Sequence, residues 1–153
     1  MIMEGTFAVT AELKKLWDML FANVENVAAC MPGVEKLDVV DDKTFNLTMK
    51  QKVGMFKVTM KGPIVLETVN APTHLDMVGD FADITKLGQL KCKINLDLVE
   101  KAPEVQLSYK VDVNVSGKMA ALGVADRFMK TKGAEMEKQF VDNLKALITK
   151  NMA

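Results

Sequence analysis

Glu104-Val105-Gln106-Leu107-Ser108-Tyr109-Lys110-Val111-Asp112-Val113-Asn114-Val115-Ser116, followed after Gly117 by the stretch from Lys118 to Thr149, decides the fold of this chain. In the first part apolar and polar residues alternate without a fault. Val105, Leu107, Tyr109, Val111, Val113 and Val115 therefore share one face of a strand, and Gln106, Ser108, Lys110, Asp112, Asn114 and Ser116 share the other. In the second part the period becomes helical, with Met119, Leu122, Met129, Met136, Phe140, Leu144, Leu147 and Ile148 on one stripe. A strand with one dry face beside a helix with one dry stripe predicts a sheet whose inner face is covered by the terminal helix. At 1.5 Å per residue that helix would run to ~48 Å, beyond the ~38 Å diameter of a compact domain of this size, so a bend or fray is expected at Gly123 or Gly133.

The preceding runs repeat the pattern. After Gly88, the residues Leu90, Cys92, Ile94, Leu96 and Leu98 alternate with polar ones, and Leu75, Met77, Gly79 and Phe81 do so after the turn Ala71-Pro72-Thr73. Earlier come Phe56, Val58, Met60, Ile64 and Leu66, where Pro63 suggests an edge position or a bulge, and Phe45, Leu47, Met49 and Val53, ended by a turn at Gly54. Turn signals between consecutive runs predict antiparallel neighbours with one wet face. Met3 to Val9 reads as an edge or closing strand beside the last one, with Phe7 and Val9 on one face. Leu13, Leu16, Trp17, Leu20 and Phe21 recur at helical spacing, with Trp17 in the core, and a second short helix runs from about Asn23 to Ala29. Cys30-Met31-Pro32-Gly33 ends it. The expectation is one α+β domain over residues 1–153: an antiparallel sheet of about seven strands around a long C-terminal helix, with two short helices between strands 1 and 2.

With 153 residues and 49% hydrophobic content the chain suits a single core. Its 20 basic and 20 acidic residues cancel, which argues against nucleic acid as a partner and against attraction to membranes by net charge. No run approaches the ~20 apolar residues of a transmembrane span, and Met1 to Thr10 lacks the features of a signal peptide. A cytoplasmic protein with reduced, separate thiols at Cys30 and Cys92 is expected.

Residues able to carry chemistry are few. His74, the single histidine, is expected on the wet side of a turn without an orienting carboxylate, so a surface role is predicted and no general base. Cys30 lacks a basic partner nearby in sequence, and Cys92 alternates with Leu90 and Ile94, so both read as packed thiols. There is no Asp-x-Asp loop, His-x-x-x-His or Cys-x-x-Cys pair for a metal, and Gly117 to Ala120 lacks the remainder of a phosphate loop. No catalytic residue, metal or cofactor is assigned. Lys50, Lys52, Lys57 and Lys61 fall at outward positions, where neighbouring acids or solvent satisfy them.

The inward set is rich in methionine, of which the chain has 12. Met49, Met60, Met77, Ile94 and Tyr109 point inward from the sheet, and Met129, Met136 and Phe140 lie on the helix stripe facing them. A flexible, polarizable lining can reshape around different apolar ligands, and these eight residues form the candidate ligand site. Methionine is also ordinary core filler, and periodicity leaves a closed core and a ligand-sized cavity equally open.

Ala11-Glu12-Leu13-Lys14-Lys15-Leu16-Trp17-Asp18-Met19-Leu20 and Cys30-Met31-Pro32-Gly33-Val34-Glu35 resemble the start of the CoxG family of carbon monoxide dehydrogenase proteins. That family lies within the START-like (SRPBCC) helix-grip superfamily. The likeness continues through Lys52-Val53-Gly54-Met55-Phe56, Lys61-Gly62, the strand from Leu107 to Val115, and Ser116 to Gly123, covering nearly the whole chain. It implies a seven-stranded antiparallel sheet gripping the terminal helix, with the pocket between them. It also implies an accessory role beside a molybdenum hydroxylase of the carbon monoxide dehydrogenase type, with enzyme recruitment to the membrane and a quinone- or lipid-like ligand. Phe81 to Leu87 lacks the glycine-rich character expected there, so the pocket is expected to differ at that end. The sequence ends at Asn151-Met152-Ala153, and the membrane-reaching extension of some members is not expected. A carrier of an apolar molecule, a docking or assembly factor, and a cyclase-type enzyme are the readings in order of preference; the last has only Tyr109 and Cys92 to work with.

Overall fold

The structure, a computed structural model, describes residues 2–53 and 56–152, and for Val53, Phe56, Val124, Ala125 and Met152 the backbone alone. The expected turn at Gly54 lies outside the described residues, as do the side chains expected to point inward at Val53 and Phe56. In chain order the elements are β1 (Ile2–Thr10), α1 (Leu13–Ala22), α2 (Val24–Ala29), β2 (Val34–Val39), β3 (Thr44–Val53), β4 (Phe56–Asn70), β5 (His74–Asp83), β6 (Gln89–Lys101) and β7 (Glu104–Ser116). Then follow α3 (Lys118–Ala121), α4 (Val124–Phe128), a π-helical turn (Met129–Gly133) and α5 (Ala134–Met152). The strands form one seven-stranded sheet in the order β1-β7-β6-β5-β4-β3-β2, antiparallel throughout. The first strand thus lies beside the last, and β1 and β2 are the open edges.

Two expectations about the strands are corrected. β2 is a strand that alternation did not assign: a register shift between Val34 and Lys36 breaks the period, leaving only Val34 and Leu37 packed against the core. Pro63 lies in the interior strand β4, not at an edge and not in a bulge. It pairs with Asn46 of β3, and the pairing with β5 passes from Lys61↔Ala82 to Ile64↔Gly79, so the missing N–H falls at a gap in the ladder. The bulge of this strand comes later, between Leu66 and Thr68.

The terminal helical region breaks at Gly123, between α3 and α4, and passes through a π turn that ends at Gly133, the two glycines at which a bend or fray was expected. Gly123 has φ of 66° and a Cβ there would meet nothing within 4 Å, so backbone conformation alone calls for glycine. The π turn ends at the buried Gly133, and the Thr131 hydroxyl of that turn donates back to the Arg127 carbonyl of α4 at 2.8 Å.

The core is in two parts. At one end Leu144 and Ile148 of α5 and Leu16 and Trp17 of α1 pack on Val105, Leu107, Leu98, Leu75, Leu66 and Phe45 of the sheet. Trp17 is in the core as expected, its ring 4.8 Å from that of Phe21. At the other end Met119 of α3 plugs a second cluster of Leu47, Val58, Met60, Phe81 and Cys92.

Candidate functional site

Between these clusters the inner face of the sheet is only partly covered. Met49, Met77, Ile94, Tyr109, Val111 and Val113 share the inner face of the sheet and remain partly buried, and Met129, Met136 and Phe140 of the helical segments are likewise partly buried. Register makes neighbours of Met49 and Met60, and of Met77 and Ile94. Met60, only 5% exposed, belongs to the second cluster with Met49 and Ile94 against it, whereas Met77 and Phe140 pack against the first. Tyr109, Met129 and Met136 belong to neither. The eight expected residues are thus distributed along the inner face between two cores and not gathered in one patch.

The helical segments are tied across this space at two points. On the β7 side the Tyr109 hydroxyl donates to Glu137 Oε1 of α5. On the β3 side Lys132 Nζ of the π turn donates to the Lys52 carbonyl at 3.2 Å. Tyr109 reaches α5 because its partner on β1 is Gly5, where a Cβ would collide with the tyrosine ring and hydroxyl. Phe7 flanks it at 6.4 Å between ring centroids, and Lys145 of α5 covers Phe7 at 5.7 Å. Burial, with the Glu137 carboxylate second, pushes the Tyr109 phenol well above its ordinary range. Glu137 was not foreseen; its one sequence signal is a carboxylate adjoining the apolar stripe at Met136.

Asp83 was also missed, although it continues the inward period of Leu75, Met77, Gly79 and Phe81, and a carboxylate at an inward position is itself the signal. It is 4% exposed and accepts from the amides of Thr59 at 3.1 Å, Thr85 at 3.0 Å and Leu87 at 3.2 Å, and from the Thr85 hydroxyl. These bonds organise the β5–β6 turn, the segment expected to differ in character.

His74 requires a correction. It opens β5 on the outer face, and two carboxylates orient it: Nδ1 is 2.6 Å from Asp97 Oδ1 and Nε2 is 2.9 Å from Asp76 Oδ1. Asn95 donates to the same Asp76 oxygen at 2.5 Å. The carboxylates raise the histidine pKa, Asp97 foremost. The sheet separates this cluster from the inner face. Cys30 and Cys92 are buried free thiols, both raised by burial, and Cys30 Sγ donates to the Asn26 carbonyl at 3.3 Å. Lys50 pairs with Glu35 of β2 at 3.3 Å, whereas Lys52 and Lys57 face each other across strands. Among the described residues no group of three His, Cys, Asp or Glu side chains is placed to hold a metal, and no helix is long and apolar enough to cross a membrane.

A seven-stranded antiparallel sheet around a segmented terminal helix, with two short helices after the first strand, defines a START-like helix-grip protein. Within that class the chain belongs to the carbon monoxide dehydrogenase CoxG family, whose model matches residues 5–149. Among curated proteins none matches it in sequence. Its fold is similar to a conserved protein from Geobacillus kaustophilus, at 17% identity and a TM-score of 0.82, covering 100% of this chain and 98% of that one. It is also similar to the Zhui aromatase/cyclase from Streptomyces sp. R1128, at 17% identity and a TM-score of 0.63, covering 99% and 93%. A START superfamily protein from Mycobacterium smegmatis matches at 12% identity and a TM-score of 0.62, covering 97% of each chain.

Proposed function

We propose that this protein is a non-catalytic binding or carrier module for an apolar small molecule, quinone- or lipid-like, held between the sheet and the terminal helix. The observation that carries this reading is the division of the core: both ends of the inner face are sealed by buried side chains, while Met49, Met77, Ile94 and Val111 between them stay partly exposed. Apolar surface left open inside a fold is stabilised by an apolar occupant at roughly 25 cal/mol per Å² covered. Family membership supports an accessory role beside a molybdenum hydroxylase of the carbon monoxide dehydrogenase type, in the cytoplasm.

A cyclase-type activity has less support. The inward polar groups are a tyrosine and a glutamate bonded to one another, with the phenol held protonated, and the single histidine lies on the opposite face. Docking or assembly without ligand transport has one specific observation in its favour. Ile84, 60% exposed, and Leu122, 50% exposed, lie on the turn against which α3 rests and on the α3–α4 connection.

Organic extraction of the purified protein, followed by mass spectrometry, tests the carrier reading. A co-purified apolar compound, or saturable uptake of a hydrophobic fluorescent probe by extracted protein, is expected. Protein that yields no such compound and takes up no probe would leave the docking role alone.

A further inference from the structure

The 20 basic and 20 acidic residues of the chain cancel, but they are not spread evenly over the fold. One end of the sheet is basic. Lys52 lies at the end of β3, Lys57 and Lys61 in the first part of β4, and Lys86 on the β5–β6 turn. The helical side adds Lys118 of α3, Arg127 of α4, and Lys130 and Lys132 of the π turn. Hydrogen bonds join these segments into one surface: the Ile84 amide donates to the Thr59 carbonyl at 3.0 Å, the Met119 amide to the Leu87 carbonyl at 2.8 Å, and Lys132 Nζ to the Lys52 carbonyl at 3.2 Å. Within residues 52–61, 83–89 and 116–133 the only acids are Asp126 and Asp83, and Asp83 is buried on the amides of Thr59, Thr85 and Leu87. All eight cations are exposed, and no carboxylate of a described residue is paired with any of them. At the opposite end the β2–β3 turn and the surroundings of the β6–β7 turn carry Asp41, Asp42, Glu100 and Glu104 against Lys43 and Lys101. We propose that the basic end is a docking surface for a bilayer that contains anionic lipid.

Two large apolar side chains project from this end, Ile84 at 60% exposed and Leu122 at 50%. Lys86 follows Ile84 in the same turn, and Lys61 lies opposite Ala82, two residues before it. Exposed apolar groups among cations match both layers of a membrane surface, the anionic headgroups and the apolar boundary beneath them. The type of cation favours lipid over an acidic protein. Lysine, a point charge on a flexible stem, suits a fluid and diffuse field, whereas protein interfaces are depleted in lysine and enriched in arginine. The one arginine here, Arg127, already donates from Nη2 to the Leu122 carbonyl at 2.8 Å. The surface also lies away from the C-terminus, because α5 leads from the π turn for ~27 Å to Met152. The contact is therefore separate from the C-terminal extension of some family members. Docking stands without the carrier reading; together with it, α3 and its plug Met119 rest against the layer from which an apolar molecule would enter.

The test is co-sedimentation of the full chain with vesicles of phosphatidylcholine alone and with about 30% phosphatidylglycerol added. Binding about tenfold or more tighter to the anionic vesicles, and released by about 0.5 M salt, is expected. Lys57→Glu with Lys61→Glu, and separately Lys118→Glu with Lys130→Glu, should each weaken it about tenfold or more. Lys43→Glu with Lys101→Glu, the same charge change at the opposite end, should alter it by less than about threefold. Ile84→Ser with Leu122→Ser should weaken binding and leave its salt dependence in place. Circular dichroism checks the fold of each variant, and should one lysine pair fail to fold, the other carries the comparison. No binding to anionic vesicles, equal binding to the two compositions, or an equal loss in the Lys43 and Lys101 variant would overturn the docking surface. Binding to immobilised polyglutamate without binding to vesicles would overturn it as well, and give the basic end to an acidic protein. The carrier reading is decided separately, by extraction and probe uptake.

Discussion

Asp83 and His74 are two titratable groups whose surroundings make stability depend on pH, and they do so in opposite directions. Burial raises the Asp83 pKa, but the Thr85 hydroxyl and the amides of Leu87, Thr59 and Thr85 outweigh it and hold the carboxyl below its usual range. The stability this contributes is present above the unfolded carboxylate value of about 4 and is lost as pH falls through the lower folded value. Asp83→Ala should cost about 2–3 kcal/mol at pH 7, because three amides lose a charged acceptor, and the cost should shrink in acid; urea unfolding at pH 7 and pH 3 measures both. His74 is raised, by Asp97 first and Asp76 second, so its contribution is complete below about 6.5 and disappears as pH rises through the folded value. The stability gap between the protein and His74→Ala should accordingly be wider at pH 6 than at pH 9, with probe binding unaffected because the histidine lies on the outer face. An unchanged gap would show that the two ion pairs are fully solvated. The period-two pattern, carried one step past Phe81, would have placed Asp83 inward, but the reading stopped at Phe81 and missed it. The carboxylates around His74 were not legible, because Asp97 meets it through the β5–β6 register, which that pattern alone does not set.

Among the elements, the strands with unbroken alternation were legible, since a period of two both names the strand and orients it. β2 was hidden by its register shift, and the interior place of Pro63 was hidden because a ladder gap leaves no trace in composition. In the helical region the two glycines marked the interruptions, yet a π turn, which takes up an extra residue per turn, has no composition of its own. The two glycines should respond differently to substitution. A Cβ at Gly133 would meet Met129 Cε at 3.0 Å, the movable end of a flexible side chain, so Gly133→Ala should be neutral or stabilise by up to about 1 kcal/mol. Gly123→Ala places a side chain on a backbone with φ of 66° and should destabilise by about 1–2 kcal/mol despite the open space around it. Chemical denaturation of the two variants measures this contrast. A loss of several kcal/mol at Gly133 would mean that Met129 is locked in place and that the π turn is rigid packing.

For the molecule as a whole, pattern established which side chains face inward but not how far apart the two layers stand. The five candidate residues on strands were legible as inward-facing, and Met60 turned out to be core while Met49, Met77 and Ile94 stayed partly open, a distinction that depends on where the π turn and α5 come to rest. Added volume in this region separates an open space from a filled one. In an open space the new atoms displace no packed neighbour, whereas in a filled one they overpack it at ~1–3 kcal/mol. Ile94→Phe and Met77→Trp, each followed by thermal unfolding and by titration with a hydrophobic fluorescent probe, make the measurement. Saturable probe binding by the unaltered protein, abolished in both variants with less than about 1 kcal/mol change in stability, is expected. Marked destabilisation of both variants, in a protein that never bound the probe, would contradict a ligand-binding space between sheet and helix.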